Sequence, residues 1–269
     1  MLSTRFLASG MLTAYDITAL RFLFAGVVLA PVAWRKGLSI GPLGIWGTLL
    51  LVFFLGPPYT LICATGMQYA PASHASTIVN GFMVLTSTLF GAYWLKEPFP
   101  LQKKIGVGTL LFGMGCVAYA KIGGSASIGH VLFMLGGIMW AGYGLALRRW
   151  NVSSWHATAA TCVLSAILYL PPFFLFFPSK MSEASLGFLT LHGVYQGLLT
   201  STVALFLYGR AIQILGASTT AAFVPLVPML TMVLGIPLLG EIPGPLEIAG
   251  VVFVFFGLMV VVYRPPRQL

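Results

Sequence analysis

The chain has 269 residues, of which charged side chains make up 7% and hydrophobic ones 58%, with 31 glycines outside that count. An ordinary soluble domain carries roughly 25% charged residues, so a water-facing surface cannot be built from this sequence, and its hydrophobicity excludes disorder. Fourteen Lys and Arg against five Asp and Glu give a net charge of +9. These cations are scattered between apolar runs rather than clustered on one face, which argues against nucleic acid as a partner. The class left is a polytopic membrane protein whose surroundings are the lipid bilayer. Cys63, Cys116 and Cys162 lie in apolar runs without a CxxC pair, so neither a disulfide framework nor a metal site is expected.

A span needs about 20 apolar residues to cross the hydrocarbon layer, and charges punctuate this chain at about that interval. Residues 17–34 form the first span, with Arg21 as its one internal charge. From 37 to 95 there is no Asp, Glu, Lys or Arg, enough for two spans that break at Pro71-Ala72-Ser73. Segments 105–120, 128–147, 156–177, 186–209, 217–239 and 246–263 follow, which makes nine. Backbone groups in lipid must be satisfied within the segment, so unalternating runs of this length are helices. The expected fold class is an all-α integral membrane protein.

Sliding the chain by 144 residues lays 61–119 on 205–263 without a gap, and ten of the 59 positions are identical, among them Gly91/Gly235, Glu97/Glu241, Gly106/Gly250, Gly113/Gly257 and Tyr119/Tyr263. A shift of 140 lays Thr18-Ala19 on Thr158-Ala159 and Pro31 on Pro171. Two repeats are therefore expected, 1–121 and 122–269. The second contains five helices and the first only four, so the reading is nine transmembrane helices out of an expected ten, with the first reduced to the stub Met1–Arg5. An odd number of helices per repeat sets the two copies in opposite orientations, the inverted-repeat plan of secondary transporters. With the C-terminus in the cytoplasm, ten cations fall on the cytoplasmic side, including Arg35, Lys36, Lys103, Lys104, Arg148, Arg149, Arg210, Arg264 and Arg267. Three fall on the other: Arg5, Lys121 and Lys180. That asymmetry fits the positive-inside rule and supports the count of nine spans; the expected location is an inner or plasma membrane.

Several pieces of the chain are similar to a known family. Leu20-Arg21-Phe22 comes early in one span, Trp140-Ala141-Gly142-Tyr143 precedes Arg148-Arg149 at the end of another, and the duplicated Gly91…Leu95-Lys96-Glu97 and Gly235…Leu239-Gly240-Glu241 are each followed by a helix containing Gly106 or Gly250. In this order they resemble the ten-helix drug/metabolite transporter superfamily, in its EamA branch, over nearly the whole chain. The resemblance implies a basket of helices around a central cavity, and export or exchange of small metabolites such as amino acids.

Substrate sites in inverted-repeat transporters lie near the midplane, where equivalent helices are interrupted. Gly56-Pro57-Pro58-Tyr59 lies mid-span opposite Thr200-Ser201-Thr202-Val203, and Asn80-Gly81 lies opposite Val224-Pro225 with Pro228 one turn on. Proline removes a backbone donor and opens the preceding turn, leaving carbonyls for a polar ligand or water. The amides of Asn80 and Gln196 are costly against lipid and are expected to face the bundle interior, and Trp140 and Tyr143 supply an aromatic wall. The candidate substrate-binding residues are thus Tyr59, Asn80, Trp140, Tyr143, Gln196, Ser201 and Thr202. Each also has a plain packing role open to it: amides bonding neighbouring helices, hydroxyls bonding their own backbone, prolines making only a kink.

Arg21 is read as snorkelling or pairing with Asp16, Glu97, Glu241 and Glu247 as helix-terminal carboxylates, and His74, His130, His156 and His192 as solvated or hydrogen-bonded near span ends. No catalytic constellation such as HExxH or GxSxG is present, so no enzyme activity and no cofactor is expected. The function read from the sequence is transport of small metabolites by alternating access. A drug or cation efflux pump of the same superfamily, or an inactive truncated membrane protein, stays open as the alternative. Substrate identity, coupling ion and oligomeric state are left unassigned.

Overall fold

The computed structural model describes residues 2, 4–5, 12–93, 96, 99–121, 126–204, 207, 214 and 223–262. Among them the chain is helical: α1 (Ala14–Lys36), α2 (Ile45–Leu55), α3 (Pro57–Tyr69), α4 (Ala72–Tyr93), α5 (Leu101–Ala120), α6 (Ala126–Trp150), α7 (Ser154–Phe176), α8 (Leu186–Gly193) running directly into a π-helical segment (Val194–Val203), α9 (Leu226–Leu239) and α10 (Pro245–Val262). Each apolar run read from the sequence falls on one of these. Among the described residues six stretches are long and apolar enough to cross a membrane: α1, α2 with α3, α4, α6, α7 and α10. Leu95, Glu97, Leu205, Arg210, Tyr263, Arg264 and Arg267 lie outside the described residues, as do Met1 and Ser3 of the expected stub.

The helices gather into two compact units. One comprises Met1–Leu2, Tyr69–Ile138 and Arg210–Leu269, the other Ser3–Gln68 and Met139–Gly209. Each unit therefore draws on both halves of the chain, and α6 contributes 126–138 to one and 139–150 to the other.

In the first unit α5 and α10 pack together over glycines. A Cβ on Gly113 would lie 2.6 Å from the Gly250 carbonyl oxygen, and one on Gly257 would lie 3.0 Å from that of Gly106. Rising numbers on α5 meet falling numbers on α10, so the pair is antiparallel. Leu110, Met114, Val254 and Leu258 fill the seam. Lipid offers no hydrophobic drive to bring helices together, so close backbone approach through small residues holds such a pair.

In the second unit α1 and α7 pair in the same antiparallel way. Ala19 packs with Tyr169 and Phe173, Gly26 faces Ala166, and His156 Nε2 lies 2.9 Å from the Gly37 carbonyl. α5 with α10, and α1 with α7, are the helices that overlay under the 144- and 140-residue shifts. Equivalent helices thus pack in opposite directions. The N-terminus of α1 carries a capping box: Thr13 Oγ1 accepts from the Asp16 N–H at 3.1 Å, and the Asp16 carboxylate accepts from the Thr13 N–H at 2.9 Å.

Candidate substrate site

The helix interruption expected at Gly56-Pro57-Pro58 is present. α2 ends at Leu55, Gly56 leaves helical geometry (φ −85°, ψ −146°), and α3 begins at Pro57. Pro57 and Pro58 carry no N–H, so the carbonyls of Phe53 and Phe54 lose their helical donors. Gly56 also allows a close approach: a Cβ there would lie 2.7 Å from Ser165 Oγ of α7.

Its partner interruption takes a different form. Val194–Val203 is π-helical, and the hydroxyls of Ser201 and Thr202 donate to the carbonyls five residues back, Gln196 at 3.0 Å and Gly197 at 3.2 Å. Single π turns inside helices recur at functional positions. At the other expected pair, by contrast, α4 runs unbroken through Asn80-Gly81. A helix keeps all its hydrogen bonds through Asn and Gly, and Gly81 serves instead to admit the Met114 sulfur of α5. In the second member of that pair, Val224-Pro225 forms the turn from which α9 starts at Leu226.

Six of the seven candidate residues belong to the second unit. Tyr59 and Trp140 meet edge to face, ring centroids 5.9 Å apart at 68°. Tyr143, one turn beyond Trp140 on α6, has its hydroxyl 3.4 Å from Thr158 Oγ1 of α7. Gln196 is buried, and its Nε2 donates to Thr4 Oγ1 at 3.0 Å. Ser201 and Thr202 are buried with their hydroxyls on the local backbone. Asn80 belongs to the first unit, where it is buried and donates from Nδ2 to the Ser76 carbonyl one turn back, at 2.7 Å.

The structure adds three groups to this constellation. Arg21 does not use Asp16: that carboxylate is taken by Thr13, by Ser179 Oγ at 2.6 Å and by the Lys180 N–H at 3.1 Å. Its guanidinium instead lies within electrostatic reach of Tyr59, Cys63 and Cys162. Arg21 Nε is buried without a hydrogen-bond partner, and so are Ser165 Oγ and Thr161 Oγ1 of α7, the latter beside the Tyr143 hydroxyl but outside hydrogen-bond geometry. Serine and threonine in a helix ordinarily satisfy themselves on the carbonyl one turn back, and orphaned buried donors are costly. Three such atoms lie in this one unit, and of them Ser165 Oγ is close to the helix break at Gly56. Sequence reading missed Thr161 and Ser165 because hydroxyls in an apolar helix look like packing residues. Among the described residues, no group of three or more His, Cys, Asp or Glu has the arrangement of a metal site.

A model of the EamA-like transporter family matches residues 2–119 and 127–263. The chain is 25% identical over 231 residues to the uncharacterized transporter YyaM of Bacillus subtilis, covering 82% of this chain and 70% of that one. It is 25% identical over 262 residues to an uncharacterized transporter of Archaeoglobus fulgidus (89% and 87% covered). It is 23% identical over 287 residues to the WAT1-related protein At4g08300 of Arabidopsis thaliana (92% and 77% covered). One solved crystal structure shares the fold at a TM-score of 0.64 and 19% identity, over 96% of this chain and 92% of the other.

Proposed function

The chain belongs to the EamA-like transporter family, and on that premise we propose that it carries small carboxylate-bearing metabolites, amino acids or close relatives, across an inner or plasma membrane by alternating access. On this reading the two inverted repeats are 1–121 and 122–269, and the charge asymmetry supports a cytoplasmic C-terminus. Export is the direction the family resemblance favours.

One observation carries the substrate class: the unpartnered Arg21 Nε, whose guanidinium lies within electrostatic reach of Tyr59, three residues past the helix break at Gly56. A guanidinium in a low-dielectric site wants an anion, and a carboxylate suits its planar fork. The unpartnered hydroxyls of Ser165 and Thr161 are assigned as further donors to that anion. Tyr59, Trp140 and Tyr143 give the apolar body of the substrate an aromatic wall, and Gln196, Ser201 and Thr202 line the side formed by the π segment. A drug or cation pump is disfavoured by the same Arg21, which repels a cationic ligand. A carrier rather than an enzyme is the reading that the names of the relatives support.

Counterflow in proteoliposomes tests this. Wild-type protein is expected to exchange radiolabelled amino acids saturably, with trans-stimulation. The free acids should compete and their amides should not. Removing one charge-assisted hydrogen bond costs about 1.5–3 kcal/mol, so Arg21→Gln is expected to weaken apparent affinity by about tenfold or more. Equal competition by acids and amides would contradict the assignment.

A further inference from the structure

A second polar cluster lies in the first unit, at the end where α4, α6 and α10 begin and α5 finishes, and the substrate reading leaves it unused. His74 stands in the first turn of α4, His130 in the second turn of α6 and Glu247 in the first turn of α10. His74 Nδ1 is 2.9 Å from His130 Nε2, and the two rings lie nearly parallel, 18° apart. On its other side His74 Nε2 is 2.9 Å from Glu247 Oε1. All three residues are buried. The second carboxylate oxygen, Oε2, accepts from the Gly244 N–H at 2.8 Å. Lys121, just past the end of α5, brings its Nζ to 3.7 Å from Oε1, with about half of its side chain (47%) exposed. Glu241 accepts from the Ala72 N–H at 3.1 Å and shares a shallow recess with Lys121 and Glu247. Among the described residues Lys121 and Glu241 are thus the other charged groups facing these three.

We propose that His130, His74 and Glu247 form a proton-binding site, entered from the recess at Lys121, and that transport by this chain is coupled to the proton held there. The second half of the proposal rests on the transport reading above. Three observations carry it. Each pair in the chain is joined by one hydrogen bond, so the three groups make a continuous path for a proton. Imidazole is the side chain whose charge changes near neutral pH. And the three groups come from three different helices, so a change in their protonation alters bonds between helices rather than within one.

The step balances without another reactant. In the empty form, hydrogens are assigned so that His130 Nε2–H donates to His74 Nδ1 and His74 Nε2–H donates to the carboxylate. A proton taken up at His130 Nδ1 gives an imidazolium, and one taken up at the carboxylate gives neutral Glu247. From the imidazolium, two hops, His130 Nε2–H to His74 Nδ1 and His74 Nε2–H to Glu247 Oε1, deliver the proton to the carboxylate and leave both imidazoles as Nδ1–H tautomers with the two hydrogen bonds reversed. Only N–H and O–H bonds change, and net charge rises by one.

The test uses proteoliposomes containing a trapped pH dye and a mixture of unlabelled amino acids, with radiolabelled amino acids added outside. Glu247→Gln and His74→Gln are expected to keep amino-acid exchange within twofold of wild type while losing at least tenfold of the dye signal that accompanies net flux. Loss of exchange and of proton movement together, in variants that remain monodisperse, would mean that the cluster only fastens helices and would overturn the proposal. If the wild type exchanges no amino acid, the transport reading fails instead, and histidine 15N spectra of wild type in nanodiscs decide the proton site alone. Only four histidines contribute, and single His→Gln variants assign them. His74 and His130 changing protonation together between pH 5 and 8 supports the site, and both staying constant over that range overturns it.

Discussion

Gly113 of α5 and Gly250 of α10 face one another so closely that a Cβ on either would lie 2.6 or 2.8 Å from the other's carbonyl oxygen. Under the 144-residue shift Gly113 becomes Gly257 and Gly250 becomes Gly106, and those two glycines also meet, at 3.0 Å on the same measure. The contact is carried onto its own mirror position when the repeats are exchanged. Only an antiparallel arrangement of equivalent helices does this, and it links the repeat seen in the sequence to the inverted packing seen in the fold.

That contact is sensitive to a single methyl group. Gly113→Ala and Gly250→Ala are each expected to destabilise the protein by about 1–3 kcal/mol, the usual result of overpacking a tight seam. Gly108→Ala and Gly115→Ala, on the same helix but with open space at the Cβ position, are expected to be neutral or slightly stabilising, since alanine favours a helix over glycine by roughly 1 kcal/mol. Thermal unfolding in detergent followed by size-exclusion chromatography measures both.

Closing the break at Gly56 separates stability from function. Replacing Pro57 and Pro58 together by alanine restores two N–H donors for the carbonyls of Phe53 and Phe54. The double variant is expected to be at least as stable as wild type, yet to lose about tenfold or more of its exchange rate in the counterflow assay. Undiminished exchange would show that the interruption only bends the helix.

Asp16 is expected to be structural. It takes part in the capping box with Thr13 and accepts from Ser179 and the Lys180 backbone. Asp16→Ala should cost about 1–2 kcal/mol, the range for a lost cap, while apparent affinity in the exchange assay stays unchanged. Arg21→Gln should do the reverse, weakening affinity with little loss of stability.

Gln196→Ala and Asn80→Ala test the two amides. Each is expected to reduce flux in reconstituted vesicles while unfolding temperature stays within a few degrees of wild type. Gln196 reaches Thr4 across the unit and Asn80 bonds only its own helix, so a flux effect confined to Gln196 would assign Asn80 to packing.

The helices were legible because apolar runs between charges have one solution in lipid. Pro57-Pro58 announced the break at Gly56 through its missing donors, and the repeat pointed from there to Thr200–Val203. The π geometry itself was not legible, since it depends on a one-residue shift of hydrogen bonding that leaves no compositional trace. The Arg21–Asp16 pair failed for a geometric reason: residues five apart are separated by about 140° around a helix, and Asp16 was committed to the cap. His74, His130 and Glu247 are 56 and 173 residues apart along the chain. Their meeting follows from which helices begin at the same end of a unit, and no local pattern records that.

The central claim is an inverted-repeat carrier with a fixed sidedness, and cysteine accessibility tests it most directly. With Cys63, Cys116 and Cys162 replaced by alanine, single cysteines at Arg35, Lys104, Lys121 and Lys180 are labelled in intact cells and in inverted vesicles with a membrane-impermeant maleimide. The account predicts that Arg35→Cys and Lys104→Cys react only from the cytoplasmic face, and Lys121→Cys and Lys180→Cys only from the opposite one. Reaction of Lys104→Cys and Lys121→Cys from the same face would contradict it.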